Sequence, residues 1–261
     1  MRYSLFAGGK RIRPAFAFAA AEAAGGAEDE ALPFAAVIEM IHTYSLIHDD
    51  LPAMDDDDLR RGKPTNHVLY GEGIAILAGD ALLTDAFGWL AGPDVAAHHP
   101  PARVLRILGE IARAAGSCGM VAGQALDLTS EGKDVDLPTL EFLHTHKTGA
   151  LIRASTVVGG LAAGATEVDL GILSSYAERV GLAFQIADDV LDVEGETAEL
   201  GKPVGSDESL SKATYPAVIG MGESKRRAAE LMESAVACLA PFGARGEVLA
   251  ALARFVVERR H

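Results

Sequence analysis

The side chains best equipped for chemistry in this chain are carboxylates. Asp49-Asp50 ends one apolar stretch and is followed, after Leu51-Pro52-Ala53-Met54, by Asp55-Asp56-Asp57-Asp58. A second group, Asp188-Asp189-Val190-Leu191-Asp192, lies about 140 residues further on. Positions 188 and 192 are four apart, so on a helix both carboxylates share a face. The stretch before them, Val180 to Ala187, is almost wholly apolar. A helix apolar all round is a buried helix, and acids at its end lie at the lip of a core or cavity. Acids held there repel one another unless a cation or donor compensates. A hard divalent cation such as Mg2+ accepts oxygen ligands, usually one or two carboxylates plus substrate phosphates. In the first group Pro52 stops the helix. The four residues between Asp50 and Asp55 leave room for the chain to loop and return a carboxylate toward the helix end. An EF-hand reading of Asp55 and Asp57 fails, because the required Gly and terminal Glu are absent. A metal phosphohydrolase built on His48-Asp49 would leave the second group unexplained.

Cationic partners stand beside these acids. Leu59-Arg60-Arg61-Gly62-Lys63-Pro64 follows the first acidic run at once. Gly8-Gly9-Lys10-Arg11-Ile12-Arg13-Pro14 opens the chain, with glycines that let backbone approach an anion and charges next to a helix start. His146-Lys147-Thr148-Gly149 lies in a helical stretch, and Gly201-Lys202 comes after the second acidic group. Together they describe a cavity with two ways of holding phosphate. Carboxylates with Mg2+ would hold one phosphate-bearing group, and Lys and Arg would hold another directly. Neutralising a diphosphate makes it a better leaving group.

The elements that must position these residues read as helices. Of 261 residues, 46 are alanine, the best helix former. Periodic segments run Arg13–Ala24, Pro33–Asp49, Gly73–Leu90, Ala102–Thr129, Leu137–Gly164, Glu167–Val193, Asp207–Gly220, Glu223–Leu239 and Gly243–Arg260. Phe34, Val37, Ile38 and Ile41 form one apolar stripe. Pro14 suits a first helical turn and Gly25-Gly26 a C-terminal stop. No strand-length alternating run stands out. The expectation is an all-α, single-domain bundle of nine or ten helices over residues 1–261, with no linker and no repeat.

Composition narrows the function. The chain has 23 Lys plus Arg against 37 Asp plus Glu, a net charge of -14. That balance argues against a general nucleic-acid binder, which needs a basic face to release counterions. Nine of the acids sit in the two groups above, so most of the surplus is read as metal-binding equipment. No uncharged, mostly apolar run is longer than Ala154 to Thr166, which falls short of the roughly 20 residues of a membrane span. Cys118 and Cys238 offer neither a disulfide framework nor zinc spacing, and a reduced, cytoplasmic setting is expected.

In order along the chain, GGKRIRP (8–14), LIHDDLPAMDDDDLRRGKPTNH (46–67), GQALDL (123–128), HKTGALIR (146–153), FQIADDVLD (184–192), GK (201–202) and KATYP (212–216) resemble the motifs of the trans-polyprenyl diphosphate synthases. The resemblance is close from Met1 to about Gly220. It implies an isoprenoid-synthase-type helical bundle around a central cavity, a homodimer, and three Mg2+ ions, with Mn2+ as a substitute. It implies condensation of isopentenyl diphosphate with an allylic diphosphate, by ionisation, condensation and elimination.

Carried over residue by residue, Asp49 and Asp55 would hold two Mg2+ ions with Asp50 beside them, and Asp188 a third with Asp192 on the same face. Arg60, Lys147 and Lys202 would contact the allylic diphosphate. Lys10, Arg13, His42 and Arg61 would hold isopentenyl diphosphate. Thr148 and Gln185 would lie near the developing allylic cation. The released diphosphate would take the proton, so no dedicated side-chain base is expected. Tyr44 and Ser45, five and four residues before Asp49, would set product length. The bulky Tyr44 and the four-residue spacer resemble bacterial farnesyl diphosphate synthases, and geranylgeranyl diphosphate synthases share that spacer. A class I terpene cyclase would lack the GGKRIRP loop and the Arg60-Arg61 pair, and a non-catalytic prenyltransferase subunit would have lost one aspartate group. Family members carry a further helix before the GGK loop, where only seven residues stand here, so an N-terminal helix is expected to be missing.

Overall fold

A computed structural model describes residues 1–194 and 213–258. Its helices are α1 (Arg2–Leu5), α2 (Ile12–Ala23), α3 (Glu28–Asp49), α4 (Asn66–Tyr70), α5 (Glu72–Leu90), α6 (Pro93–His98), α7 (Pro101–Ala115), α8 (Met120–Ser130) and α9 (Leu137–His144). A π-turn (Thr145–Gly149) follows, then α10 (Ala150–Ala162), α11 (Glu167–Glu194), α12 (Tyr215–Ile219) and α13 (Met221–Cys238). A 3-10 stretch (Ala240–Gly246) and α14 (Glu247–Glu258) complete it. Two-residue strands β1 (Leu59–Arg60) and β2 (Lys63–Pro64) pair antiparallel, with Arg60 opposite Lys63. Among the described residues the fold is all-α apart from that small hairpin.

The uncharged run from Ala154 becomes the central helix. Every residue from Ala154 to Ala162 is buried, and α10 packs on α2, α3, α7 and α11. Gly159 permits the tightest of these contacts, since a Cβ there would collide with the carbonyl oxygen of Ala17 on α2. The hydroxyls of Ser155 and Thr156 are satisfied by the carbonyls of Leu151 and Ile152. Phe34, Val37, Ile38 and Ile41 of α3 are fully buried with Leu82, Ile107 and Ile111. Each such side chain contributes roughly 1.5–3 kcal/mol. A second cluster joins Phe16, Tyr176, Leu249 and Val256, and a third gathers Leu140, Ile186 and Tyr215.

Several boundaries differ from the sequence reading. α3 begins at Glu28, ahead of Pro33, because Glu28, Asp29 and Glu30 favour a first turn and Glu30 accepts from the Ala27 N–H at 2.9 Å. The segment 102–129 is two helices, broken at Gly116–Gly119, where a Cβ on Gly119 would strike the Ala114 carbonyl. The segment 137–164 is interrupted by the π-turn. There the Thr145 hydroxyl bonds the Glu141 and Phe142 carbonyls and the His146 ring bonds that of Phe142, in competition with the regular ladder.

The helical run Glu72–His98 is long and apolar enough to cross a membrane by length and composition alone, with a mean hydropathy of 1.5 over its most apolar 18 residues. No uncharged run is longer than Ala154–Thr166, because the apolar stretch in Glu72–His98 is interrupted by acids. Asp80 and Asp85 fall within Glu72–His98, where a bilayer would disfavour them. α5 instead buries Ala75, Ala78, Leu82, Ala86 and Leu90 on one side.

Candidate active site

The end of α3 sets the first acidic group. Past Asp49 the chain turns, and the Asp55 N–H donates to the Asp49 carbonyl at 2.9 Å while the Asp56 N–H donates to Leu51 at 3.2 Å. The loop thus returns Asp55 to the helix end, as the spacing predicts. Burial pushes the Asp49 carboxyl up to about 6, with Lys147 opposing and Asp55, then Asp50, adding to the rise. Asp50 is also pushed up to about 6 by burial, against the pull of Arg60, which ion-pairs with it. This is a donor set that suits a hard cation: Asp49 and Asp50 are carboxyls whose ionisation burial disfavours and a bound cation would restore. Among the described residues no three His, Cys, Asp or Glu side chains already converge on one point. A cation there would fill its remaining positions with water and substrate phosphate.

The hairpin after this loop divides two arginines between two places. Arg61 and Gly62 both have positive φ, 54° and 71°, as a two-residue type I′ connection requires. Arg60 therefore points to Asp50 and Asp57, whereas Arg61 donates to the Gly8 carbonyl. Gly9, at φ 107°, lies so near the Arg61 guanidinium that a Cβ would overlap it. Burial lowers the pKa of Arg61, with Glu39 opposing. For Arg60, burial works downward but the carboxylates of Asp50, Asp57 and Asp49 prevail and raise it.

Two cavities meet at this point. The larger, about 360 Å³, is lined by Tyr44, Ser45, Asp49, Gln124, Lys147 and Thr148, and also by Arg13 and His42. The second, about 240 Å³, is lined by Lys10, Arg13, His42 and Arg61, with Arg11, Glu39 and Phe184. Arg13 and His42 belong to both, so the cavities adjoin. Burial pushes Arg13 down to about 10, while Glu39 and Asp188 oppose the shift. Burial, then the charges of Arg13, Arg61 and Arg60, hold His42 well below its usual value, so its ring is neutral. Arg13 Nε has no hydrogen-bond partner among the described residues. A cationic pocket with an orphaned buried donor is built for an anion.

Most sequence-predicted residues thus fall on these two cavities. Asp50 and Arg60 line a smaller neighbouring pocket with Arg61. Gln185, Asp188 and Asp192 lie on α11 and line neither large cavity, although Phe184 next to Gln185 does, and the Asp188 charge reaches Arg13. Lys202 and Lys212 lie outside the described residues. Tyr44 is 8% exposed, meets the His48 ring edge-on at 5.7 Å, and has its pKa raised by burial and then by Asp49.

The sequence reading missed α8 as part of the site. Asp127 accepts from Lys147 Nζ at 2.5 Å, and a Cβ on Gly123 would overlap the Lys147 backbone. Both atoms of the Gln124 amide are buried without a partner among the described residues. The quoted GQALDL segment held the signal, since residues 123, 124 and 127 share a helix face.

Comparison with known proteins follows from this geometry. The sequence pattern of the family described as polyprenyl synthetase matches residues 1–248. A farnesyl diphosphate synthase of Geobacillus stearothermophilus is 50% identical over 261 residues, covering 100% of this chain and 88% of that one. A geranylgeranyl diphosphate synthase of Cyanophora paradoxa is 50% identical over 262 residues, covering 100% and 87%. A solved geranyltransferase from Helicobacter pylori, in complex with magnesium and isoprenyl diphosphate, superposes with a TM-score of 0.87 at 34% identity, covering 98% of this chain and 88% of that one.

Proposed function

The chain belongs to the polyprenyl synthetase family, and from that premise we propose that it elongates dimethylallyl or geranyl diphosphate with isopentenyl diphosphate to give farnesyl diphosphate. The observation that carries this reading is the pair of adjoining cavities. One offers Asp49 with Lys147 and Thr148; the other offers Lys10, Arg13, His42 and Arg61. The family is short-chain, trans-acting and Mg-dependent, and its substrates are isopentenyl and allylic diphosphates.

At the mouth of the larger cavity, which Asp49 lines, Asp49 and Asp55 with Asp50 beside them, and Asp188 with Asp192 from α11, would hold the magnesium ions, three in number, or manganese in their place. Bound magnesium supplies charge neutralisation that makes the allylic diphosphate a leaving group. Lys147, fixed by Asp127, and Arg60, fixed by Asp50, aim cationic donors at that diphosphate. Lys202 joins them in this reading from outside the described residues. Thr148 and Gln185 turn dipoles toward the allylic cation. In the second cavity Lys10, Arg13 and Arg61 hold isopentenyl diphosphate, and neutral His42 adds a donor without adding charge. No side chain is assigned as base, because the departing diphosphate takes the proton. Tyr44, beside Ser45 on the larger cavity, stops the growing chain at fifteen carbons.

We propose a homodimer in which a second copy covers exposed apolar side chains of α5, where Ile74, Ile76, Leu77 and Trp89 are each 44–63% exposed. The enzyme is assigned to the cytoplasm. In an assay with isopentenyl and geranyl diphosphates and Mg2+, Asp49→Ala and Asp188→Ala each lower turnover by orders of magnitude while circular dichroism stays native. Near-normal turnover in either removes the metal assignment.

A further inference from the structure

Asp189, the middle acid of the second group, and Tyr215, of the KATYP segment, have no role in the chemistry above. The structure joins them. Asp189 is 3% exposed, and its Oδ2 accepts from His144 Nε2 at 3.1 Å and from the Tyr215 backbone N–H at 2.9 Å. The His144 ring, 5% exposed, lies over the Tyr215 ring at 5.6 Å and 13°. The Tyr215 hydroxyl donates to Glu141 at 3.2 Å, one turn before His144 on α9. Leu140, Leu182 and Ile186 close around this group, and Tyr215 is fully buried.

The placement of the pair gives it meaning. His144 is the last residue of α9 and stands three before Lys147; Asp189 directly follows Asp188. One buried bond therefore ties the stem of the π-turn to the helix that bears the second acidic group. The π-turn is where the regular ladder is weakest, so a side-chain tether has most effect there. A carboxylate between two buried donors is held in one orientation, and removing it leaves both donors unsatisfied.

We propose that Asp189, His144 and Tyr215 form a positioning bridge that sets Lys147 and Thr148 against Asp188 and Asp192, and that Asp189 is not a metal ligand. The proposal rests on the roles given above to those four residues. Because small misplacements of reacting groups cost up to about 100-fold in rate, the bridge is expected to act on turnover rather than on capture of the second substrate.

The test compares Asp189→Ala, Asp189→Asn and His144→Phe, with melting curves to show that each is folded. Asp189→Asn keeps an oxygen for both donors, and His144→Phe keeps the stack on Tyr215 while losing the ring donor. Expected are a roughly 10–100-fold fall in kcat for Asp189→Ala and His144→Phe, with KM for isopentenyl diphosphate within about 3-fold, and recovery of most of kcat in Asp189→Asn. Two readouts need no turnover. In the metal-free protein, nitrogen NMR should find the His144 ring proton on Nε2. Calorimetry with Mg2+ and inorganic diphosphate should find Asp189→Asn binding as the wild type does. The proposal is overturned if Asp189→Asn loses that binding, which would make Asp189 a ligand. It is equally overturned if Asp189→Ala and His144→Phe fold and keep wild-type kcat. A wild-type protein that elongates nothing sinks the prenyl-transfer reading instead, and the NMR and calorimetric readouts still decide whether the bridge exists.

Discussion

Replacing Tyr44 by alanine should lengthen the product. Tyr44 stands five residues before Asp49 on α3, about 7.5 Å along the helix from the first carboxylate. Its side chain closes part of a cavity of about 360 Å³ whose other walls include Met54, Met120 and Leu128. The substitution removes about seven non-hydrogen atoms, against about five carbons in one isoprene unit; at about 0.8 kcal/mol per buried carbon, seating that unit contributes about 4 kcal/mol. That is nearly three powers of ten in favour of keeping the chain for another round. The cost to folding is about 3 kcal/mol, since Tyr44 is almost wholly buried. The assay is elongation of geranyl diphosphate by isopentenyl diphosphate with Mg2+, then dephosphorylation and reversed-phase chromatography of the alcohols. The main product should move from fifteen carbons to twenty or more, and Tyr44→Phe should leave it unchanged because bulk is kept. A folded, active Tyr44→Ala enzyme that still stops at the wild-type length refutes the reasoning.

Other outcomes follow from the same geometry. Arg61→Ala removes a charge-assisted donor from the second cavity, and steady-state kinetics should show KM for isopentenyl diphosphate rising about 10–100-fold with that for geranyl diphosphate nearly constant. The Asp49 carboxyl, about 6 when folded against 3.8 in an ordinary setting, stabilises the metal-free fold at low pH, and this is lost as pH rises through about 6. Mg2+ replaces that proton, so its thermal-shift gain should be larger at pH 7.5 than at pH 5; an equal gain at both would count against this. Gly159→Ala pushes a methyl into the Ala17 carbonyl. It should cost about 1–3 kcal/mol, read as a melting point several degrees lower.

The acidic groups and the loop that returns Asp55 were more legible in the sequence than the packing around them. Asp49, Asp55 and Asp188 stand out because acids at the end of an apolar helix need a compensating cation, and the Asp50-to-Asp55 spacer foretold the returning loop. The all-α fold followed from alanine content and from stripes such as Phe34, Val37, Ile38 and Ile41. Local backbone breaks were harder to see. The interruption at Gly116–Gly119 depends on contacts between Gly119 and Ala114 that periodicity does not encode. The π-turn arises from side-chain bonds of Thr145 and His146, residues that also occur in ordinary helices. Helper residues were hidden for a related reason. Asp127 acts through Lys147, twenty positions away, and Arg11 holds Glu39 from a left-handed backbone position, φ 52°. A segment such as GQALDL can signal that a helper exists, but which side chain it holds becomes visible only once the helices are packed.

The central claim is that the two adjoining cavities carry out chain elongation. It is tested most directly by incubating the protein with isopentenyl diphosphate, geranyl diphosphate and Mg2+, and resolving the dephosphorylated products by chromatography. The account predicts farnesol as the main product and none when a chelator replaces the metal. Unchanged geraniol, or a cyclic hydrocarbon in place of a longer alcohol, would contradict it.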